Sequence, residues 1–213
     1  MAEMESISQA MGELNEDKVK ELVKKKLAEG VPATQILKEC QKGMVEIGKK
    51  YEQGTYFVSE LMYAGEIMKD ITAQLEPMLK GTKESEKTLG KVVLGTVKGD
   101  IHDLGKDIVG LMLRGTGFEV IDLGVDVAPE KFVQAIKDSG ATIVGMSVFL
   151  TAVYDSATAT VEAIKKAGLR DKVSIMIGGG PVTDLVRQST GCDFYGKDAV
   201  AGVDYALKVV GAR

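Results

Sequence analysis

From Leu89 onward, short apolar runs bounded by glycine alternate with stretches of helical periodicity, and this alternation restricts the fold more than any other feature of the 213-residue chain. The runs at 91–97, 119–125, 141–149, 172–177 and 192–195 read as strands. Helical patterns at 105–114, 129–138, 152–167, 182–188 and 199–210 separate them. Strands that are apolar almost throughout must be covered on both faces, the condition of a parallel sheet with helices on each side. Five such units predict an α/β domain over 89–213, a doubly wound flavodoxin-like sheet in the order 2-1-3-4-5.

The first 80 residues have a different texture. A short segment at 6–11 precedes a helix that Asn15 caps, with Val19, Leu22, Val23 and Leu27 on one face and Gly30 and Pro32 at its end. A second helix, 33–53, turns Ile36, Leu37, Cys40, Met44, Ile47 and Tyr51 inward and stops at Gly54. A third begins near Ser59, carries Leu61, Met62, Ile67, Met68 and Ile71, and is expected to end before Pro77. The expectation is a small bundle of about four helices over 1–80, followed by a polar linker at 81–88.

A net charge of −4 leaves no basic footprint for nucleic acid. No apolar stretch suggests a membrane span, and the N-terminus does not read as a signal peptide. Cys40 and Cys192, far apart and without a CxxC, read as buried thiols of a cytoplasmic protein. The chain has a single histidine, His102, so no histidine cluster can bind a metal. Any chemistry there needs one imidazole backed by a carboxylate.

In doubly wound sheets, ligands bind beyond the carboxyl ends of the strands, near the switch point between strands 1 and 3. Three unusual segments fall at that edge. Asp100-Ile101-His102-Asp103 and Gly105 follow strand 1, Ser147-Val148-Phe149-Leu150-Thr151 ends strand 3, and Gly178-Gly179-Gly180 ends strand 4. Taken singly, each has an ordinary explanation as a turn, a helix cap or a phosphate cradle. Strand 1 is not followed by GxGxxG, which disfavours a dinucleotide fold.

Together, Asp100-x-His102-x-x-Gly105, Ser147-x-Phe149 and Gly178-Gly179 resemble the cobalamin-binding signature DxHxxG, SxL, GG. The helical half resembles the cap that precedes this domain in methyl-transferring corrinoid proteins, so the likeness spans nearly the whole chain. It implies a stand-alone corrinoid protein of a methanol, methylamine, methylthiol or betaine methyltransferase system, a methyl carrier with no turnover of its own. Its cofactor would be cobalamin or a related corrinoid, cycling between cob(I)alamin and methylcob(III)alamin. His102 would be the lower axial ligand of cobalt in place of dimethylbenzimidazole, and Asp100 would hold its second nitrogen. The nearby helix N-terminus favours the neutral imidazole.

By the same resemblance, the displaced nucleotide tail would enter a slot lined by small residues, with Gly105, Ser147, Thr151 and Gly178–Gly180 as candidates and Phe149 in the leucine position. Asp103 is the weaker partner for His102, solvent-facing or capping. Phe57, Leu61 and Met62 are candidates to cover the upper corrin face, although such a stripe is also ordinary helix core. Where methionine synthase has a relay serine, this chain has Val153. The implied partners are a substrate-specific methyltransferase, a second methyltransferase delivering to coenzyme M or tetrahydrofolate, and a reductive activase. The subunit of an adenosylcobalamin mutase shares the motif, but the cap-like bundle argues against it. A cobalamin-dependent sensor would need an output domain, and no residues are left over to form one.

Overall fold

The computed structural model describes residues 6–79 and 88–212. The chain divides into two compact units near residue 88. The expected linker at 81–88 lies outside the described residues, Thr88 excepted.

The first unit is four helices: α1 (Ile7–Gly12), α2 (Glu16–Ala28), α3 (Ala33–Glu52) and α4 (Val58–Leu79). Ser6 caps α1, its Oγ accepting the Gln9 N–H, and Asn15 caps α2 by accepting the Lys18 N–H, both at 3.1 Å. On α3, Ile36, Cys40, Gly43, Met44 and Ile47 are buried, a stripe with helical spacing. Gly43 permits the close approach of α1, because a Cβ there would stand 2.4 Å from the Met11 Cβ. Helix α4 continues through Pro77 instead of ending before it. The proline φ suits a helix, and so near the C-terminus the ring removes one hydrogen bond without breaking a long segment.

The second unit is a five-stranded parallel sheet in the order β2-β1-β3-β4-β5. Its strands are β1 (Lys91–Thr96), β2 (Glu119–Asp122), β3 (Ile143–Ser147), β4 (Ser174–Gly178) and β5 (Phe194–Gly196). The helices between and after them are α5 (Leu104–Thr116), α6 (Pro129–Ser139), α7 (Tyr154–Lys166), α8 (Asp184–Thr190) and α9 (Ala199–Val209). Val92, Val93 and Leu94 of β1 and Ile143 and Val144 of β3 are buried, as expected of central strands covered on both faces. The register aligns Thr96 with Ser147 and Ser147 with Gly178, so β1, β3 and β4 end side by side.

The differences from the predicted bounds have physical causes. Strand β3 stops at Ser147, two residues early, because the N–H groups of Phe149 and Leu150 turn to the Asp100 carboxylate. Strand β2 ends at Asp122, where its carboxylate accepts the Gly124 N–H and Gly124 turns the chain with φ +79°. A turn of 3-10 helix at Thr151–Val153 delays α7 to Tyr154. Both cysteines are buried free thiols, and burial pushes them up, Cys40 to about 12 and Cys192 to about 11.

Candidate functional site

The loop after β1 is tied down on both sides. The Thr96 hydroxyl, fully buried, donates to the His102 carbonyl at 2.9 Å. Toward β2, the Gly99 N–H donates to Asp126 Oδ1 at 2.8 Å, and the Asp126 N–H donates to the Asp100 carbonyl at 2.9 Å. Toward β3, Asp100 is fully buried. Its Oδ1 accepts the His102 N–H at 3.0 Å and faces His102 Nδ1 at 2.7 Å. Its Oδ2 accepts the N–H groups of Phe149 at 2.6 Å and Leu150 at 3.0 Å.

Burial alone would raise the Asp100 pKa. The N–H groups of Leu150, His102 and Phe149 and the imidazole outweigh it and hold the carboxyl at about 2. Asp100 is therefore an anion at neutral pH and can only accept, so Nδ1 of His102 carries the proton of their hydrogen bond. The histidine side chain is 46% exposed, and Nε2 has no partner among the described residues. A ligating histidine needs this arrangement: one nitrogen held by a carboxylate, the other available. The hydrogen-bond relay ends at Asp100, whose second oxygen is taken by backbone amides. Val153 approaches the loop by aliphatic contact instead, 3.1 Å from where a Cβ of Gly99 would stand.

A cavity of about 240 Å³ opens at the same edge, lined by Gly105, Ser147, Gly178, Gly179 and Gly180 together with Leu94, Gly145 and Gly202. An apolar cavity of about 150 Å³ holds benzene, so this one has room for a fused bicyclic base. The glycines serve different ends. A Cβ on Gly105 would meet nothing within 4 Å, so this residue leaves the space open. Gly179 has φ +140°, and a Cβ there would lie 1.8 Å from the Val148 carbonyl oxygen, so the backbone itself requires glycine.

The remaining predicted residues divide. Thr151 is exposed and does not line the cavity; it opens the 3-10 turn instead. Phe149 does not line it either, because its ring lies on the His102 imidazole, with centroids 4.4 Å apart and planes at 31°. Ile101 is 71% exposed next to His102. Asp103 makes no bond to His102, and its carbonyl accepts the Asp107 N–H at the start of α5, 2.8 Å away. In the helical unit, Phe57 and Met62 are exposed, whereas Leu61 is buried at 1% and offers no surface to a cofactor.

Several site residues escaped the sequence reading. Lys106 lines the cavity, is nearly buried, and donates to Asp122 at 2.7 Å and Asp107 at 2.5 Å. Burial would lower the Lys106 pKa, but Asp107 and Asp122 raise it and keep it charged. The run Gly-Lys-Asp carries no signal for a partner on β2. Asp126, in the left-handed region at φ +52°, was equally silent. The lone histidine, its carboxylate and the glycine-lined cavity fit a corrinoid with its nucleotide tail buried. Among the described residues no three His, Cys, Asp or Glu side chains are grouped so as to hold a metal ion.

Comparison with known proteins agrees with this fit. A B12 binding domain model matches residues 90–204, and a second model, also described as a B12 binding domain, matches residues 3–76. The trimethylamine corrinoid protein 2 of Methanosarcina mazei is 40% identical over 92% of each chain. The chain belongs to the B12-binding corrinoid proteins, a family that includes the trimethylamine and dimethylamine corrinoid proteins. The solved structure of a cobalamin-binding protein from Desulfitobacterium hafniense superposes with a TM-score of 0.82 at 38% identity, covering 95% of this chain and 96% of that one. A chain of the methanol:cobalamin methyltransferase complex of Methanosarcina barkeri gives 0.84 at 24% identity over 98% and 79%, and so shares the fold. The fold and cofactor implied by the resemblance hold for this corrinoid protein.

Proposed function

We propose that this corrinoid protein carries a methyl group on cobalt between two methyltransferases, with His102 as the lower axial ligand. The observation that carries this reading is the His102 imidazole, held at Nδ1 by ionised Asp100 and free at Nε2, beside a cavity that suits a nucleotide base. When bound, the corrinoid supplies a cobalt that accepts a methyl group as a nucleophile and yields it as an electrophile.

The residues of the chain do the rest. Asp100 fixes the tautomer by accepting from Nδ1 and leaves Nε2, on a half-exposed ring, as the atom that would ligate. Gly105, Ser147 and Gly178–Gly180 leave room for the tail. Ile101, next to His102, gives the lower corrin face an apolar surface. Residues 1–80 serve as the cap, with Phe57 and Met62 as the apolar groups for the upper face. The donor enzyme is a methyltransferase specific for a methylamine or methanol, the substrates named for the relatives. The acceptor enzyme delivers to a thiol such as coenzyme M or to tetrahydrofolate, and a reductive activase restores the carrier. Two buried free thiols support a cytoplasmic site.

The test is spectroscopic. Protein loaded with cobalamin should show the bands of histidine-ligated cobalt with the cofactor's own base displaced, and His102→Ala should lose them. An unchanged spectrum in the variant would show that His102 is not the ligand.

A further inference from the structure

We propose that Phe149 is a positioning residue for His102: its ring fixes the tilt of the imidazole and favours the cobalt-bound state of the histidine. The inference rests on the ligand role of His102 given above and adds a second constraint to it.

The hydrogen bond from Nδ1 to Asp100, 2.7 Å long, holds one edge of the imidazole in its own plane. It leaves the ring able to swing about that edge, and the side chain is 46% exposed, so the surrounding structure does not prevent the swing. A face contact would. The Phe149 ring supplies one, with centroids 4.4 Å apart and the planes only 31° from parallel. A metal bond needs the Nε2 lone pair directed along one axis, so in-plane and out-of-plane motion must both be limited. Asp100 limits the first and Phe149 the second.

The ring is itself held in place. A Cβ on Gly180 would come within 2.9 Å of Phe149 Cε2, so the ring occupies space that the third glycine leaves vacant. Its backbone is fixed as well, by the 2.6 Å bond from the Phe149 N–H to Asp100 Oδ2. Phe149 nevertheless stays 49% exposed, so burial in the core does not account for a phenyl ring at this position. One residue thus holds the carboxylate through its amide and the imidazole through its ring, and also touches the glycine loop of the cavity. An aliphatic side chain would keep the amide bond and lose the flat face.

The chain has one imidazole, so untagged protein gives a single set of histidine ring signals. In the cofactor-free wild type these proton resonances should be displaced by the Phe149 ring current. Phe149→Leu and Phe149→Met should move them toward free-imidazole positions, and Phe149→Tyr should restore them. In protein carrying 15N-labelled histidine, loaded with cobalamin and reduced to Co(II), doublet splitting in the electron paramagnetic resonance spectrum reports the fraction of histidine bound, against the triplet that the cofactor's own base would give. An aromatic pair contributes about 0.5–1.5 kcal/mol, which bounds the ordering that Phe149 can supply, so Phe149→Leu should lower the bound-to-free ratio by up to about tenfold, with Phe149→Tyr near wild type.

Unmoved resonances in the leucine variant, or moved resonances with an unchanged ratio, would each overturn the positioning role. If the wild type itself shows no histidine-bound cobalt, the ligand assignment fails and this inference falls with it. That outcome is distinguishable because it appears before any substitution at Phe149.

Discussion

The His102 loop and the glycine-lined cavity lie at the same sheet edge and are built in opposite ways. The loop is assembled from bonds: Thr96, Asp100 and Asp126 hold it with hydroxyl, carboxylate and backbone partners on three sides. The cavity is assembled from missing atoms, with Gly105, Gly145 and Gly178–Gly180 among its walls. A bonded loop presents one side chain in one orientation, as a metal ligand requires. A cavity made by omission accepts a flat group and makes few demands of its own. The contrast predicts that the loop fails by losing partners and the cavity by gaining atoms.

The largest effect should come where the cavity wall is also backbone-critical. Gly179→Ala would place a Cβ 1.8 Å from a carbonyl oxygen at φ +140°, and should cost roughly 4 kcal/mol or prevent folding, as urea unfolding would show. If Gly179→Ala unfolded like the wild type, the view that this wall is fixed by backbone geometry would be wrong. Next comes the loop. Asp100→Ala leaves the amides of Phe149 and Leu150 without their acceptor and should cost about 3 kcal/mol, in addition to weakening histidine ligation.

Acid tests the same carboxylate. Asp100 is held at about 2, below its ordinary 3.8, so its contribution to stability is complete above the ordinary value and is lost as the pH falls through the folded one. Unfolding measured from pH 5 to 2 should show this loss in the wild type and a flatter acid limb in Asp100→Asn. The smallest effect on stability should be that of Gly105→Leu. Its Cβ meets nothing within 4 Å, and leucine improves helix propensity by up to about 1 kcal/mol. The unfolding midpoint should hold or rise while retention of complete cobalamin drops, and a corrinoid lacking the nucleotide tail should still bind. Equal losses for both corrinoids would mean that the cavity does not take the tail.

Much of this was legible in the sequence because the signals are local. Apolar runs and glycine stops gave the strand order, and Asp100 and His102 are close enough in one loop for their pairing to be read from spacing. The glycines after β4 were visible too, although their separate duties were not. Contacts made across strands were silent. The separation of 49 positions from Asp100 to the Phe149 amide hides the bond that ends β3 early. The partnership of Lys106 with Asp122 and the grip of Asp126 on Gly99 were hidden for the same reason. Leu61 shows the converse: offered as a candidate to cover the corrin, it is buried, the ordinary place for an apolar residue on such a stripe.

The sequence by itself determined the class of fold, the edge of the sheet that carries the site, and the lone histidine with its carboxylate, since each depends on periodicity or short spacing. The tertiary structure alone decided that Asp100 is saturated by four donors, that Phe149 faces the imidazole and not the cavity, and which glycine leaves space and which one the backbone needs. Those facts depend on where separate strands end relative to one another, and sheet register fixes that only after the whole parallel sheet has assembled.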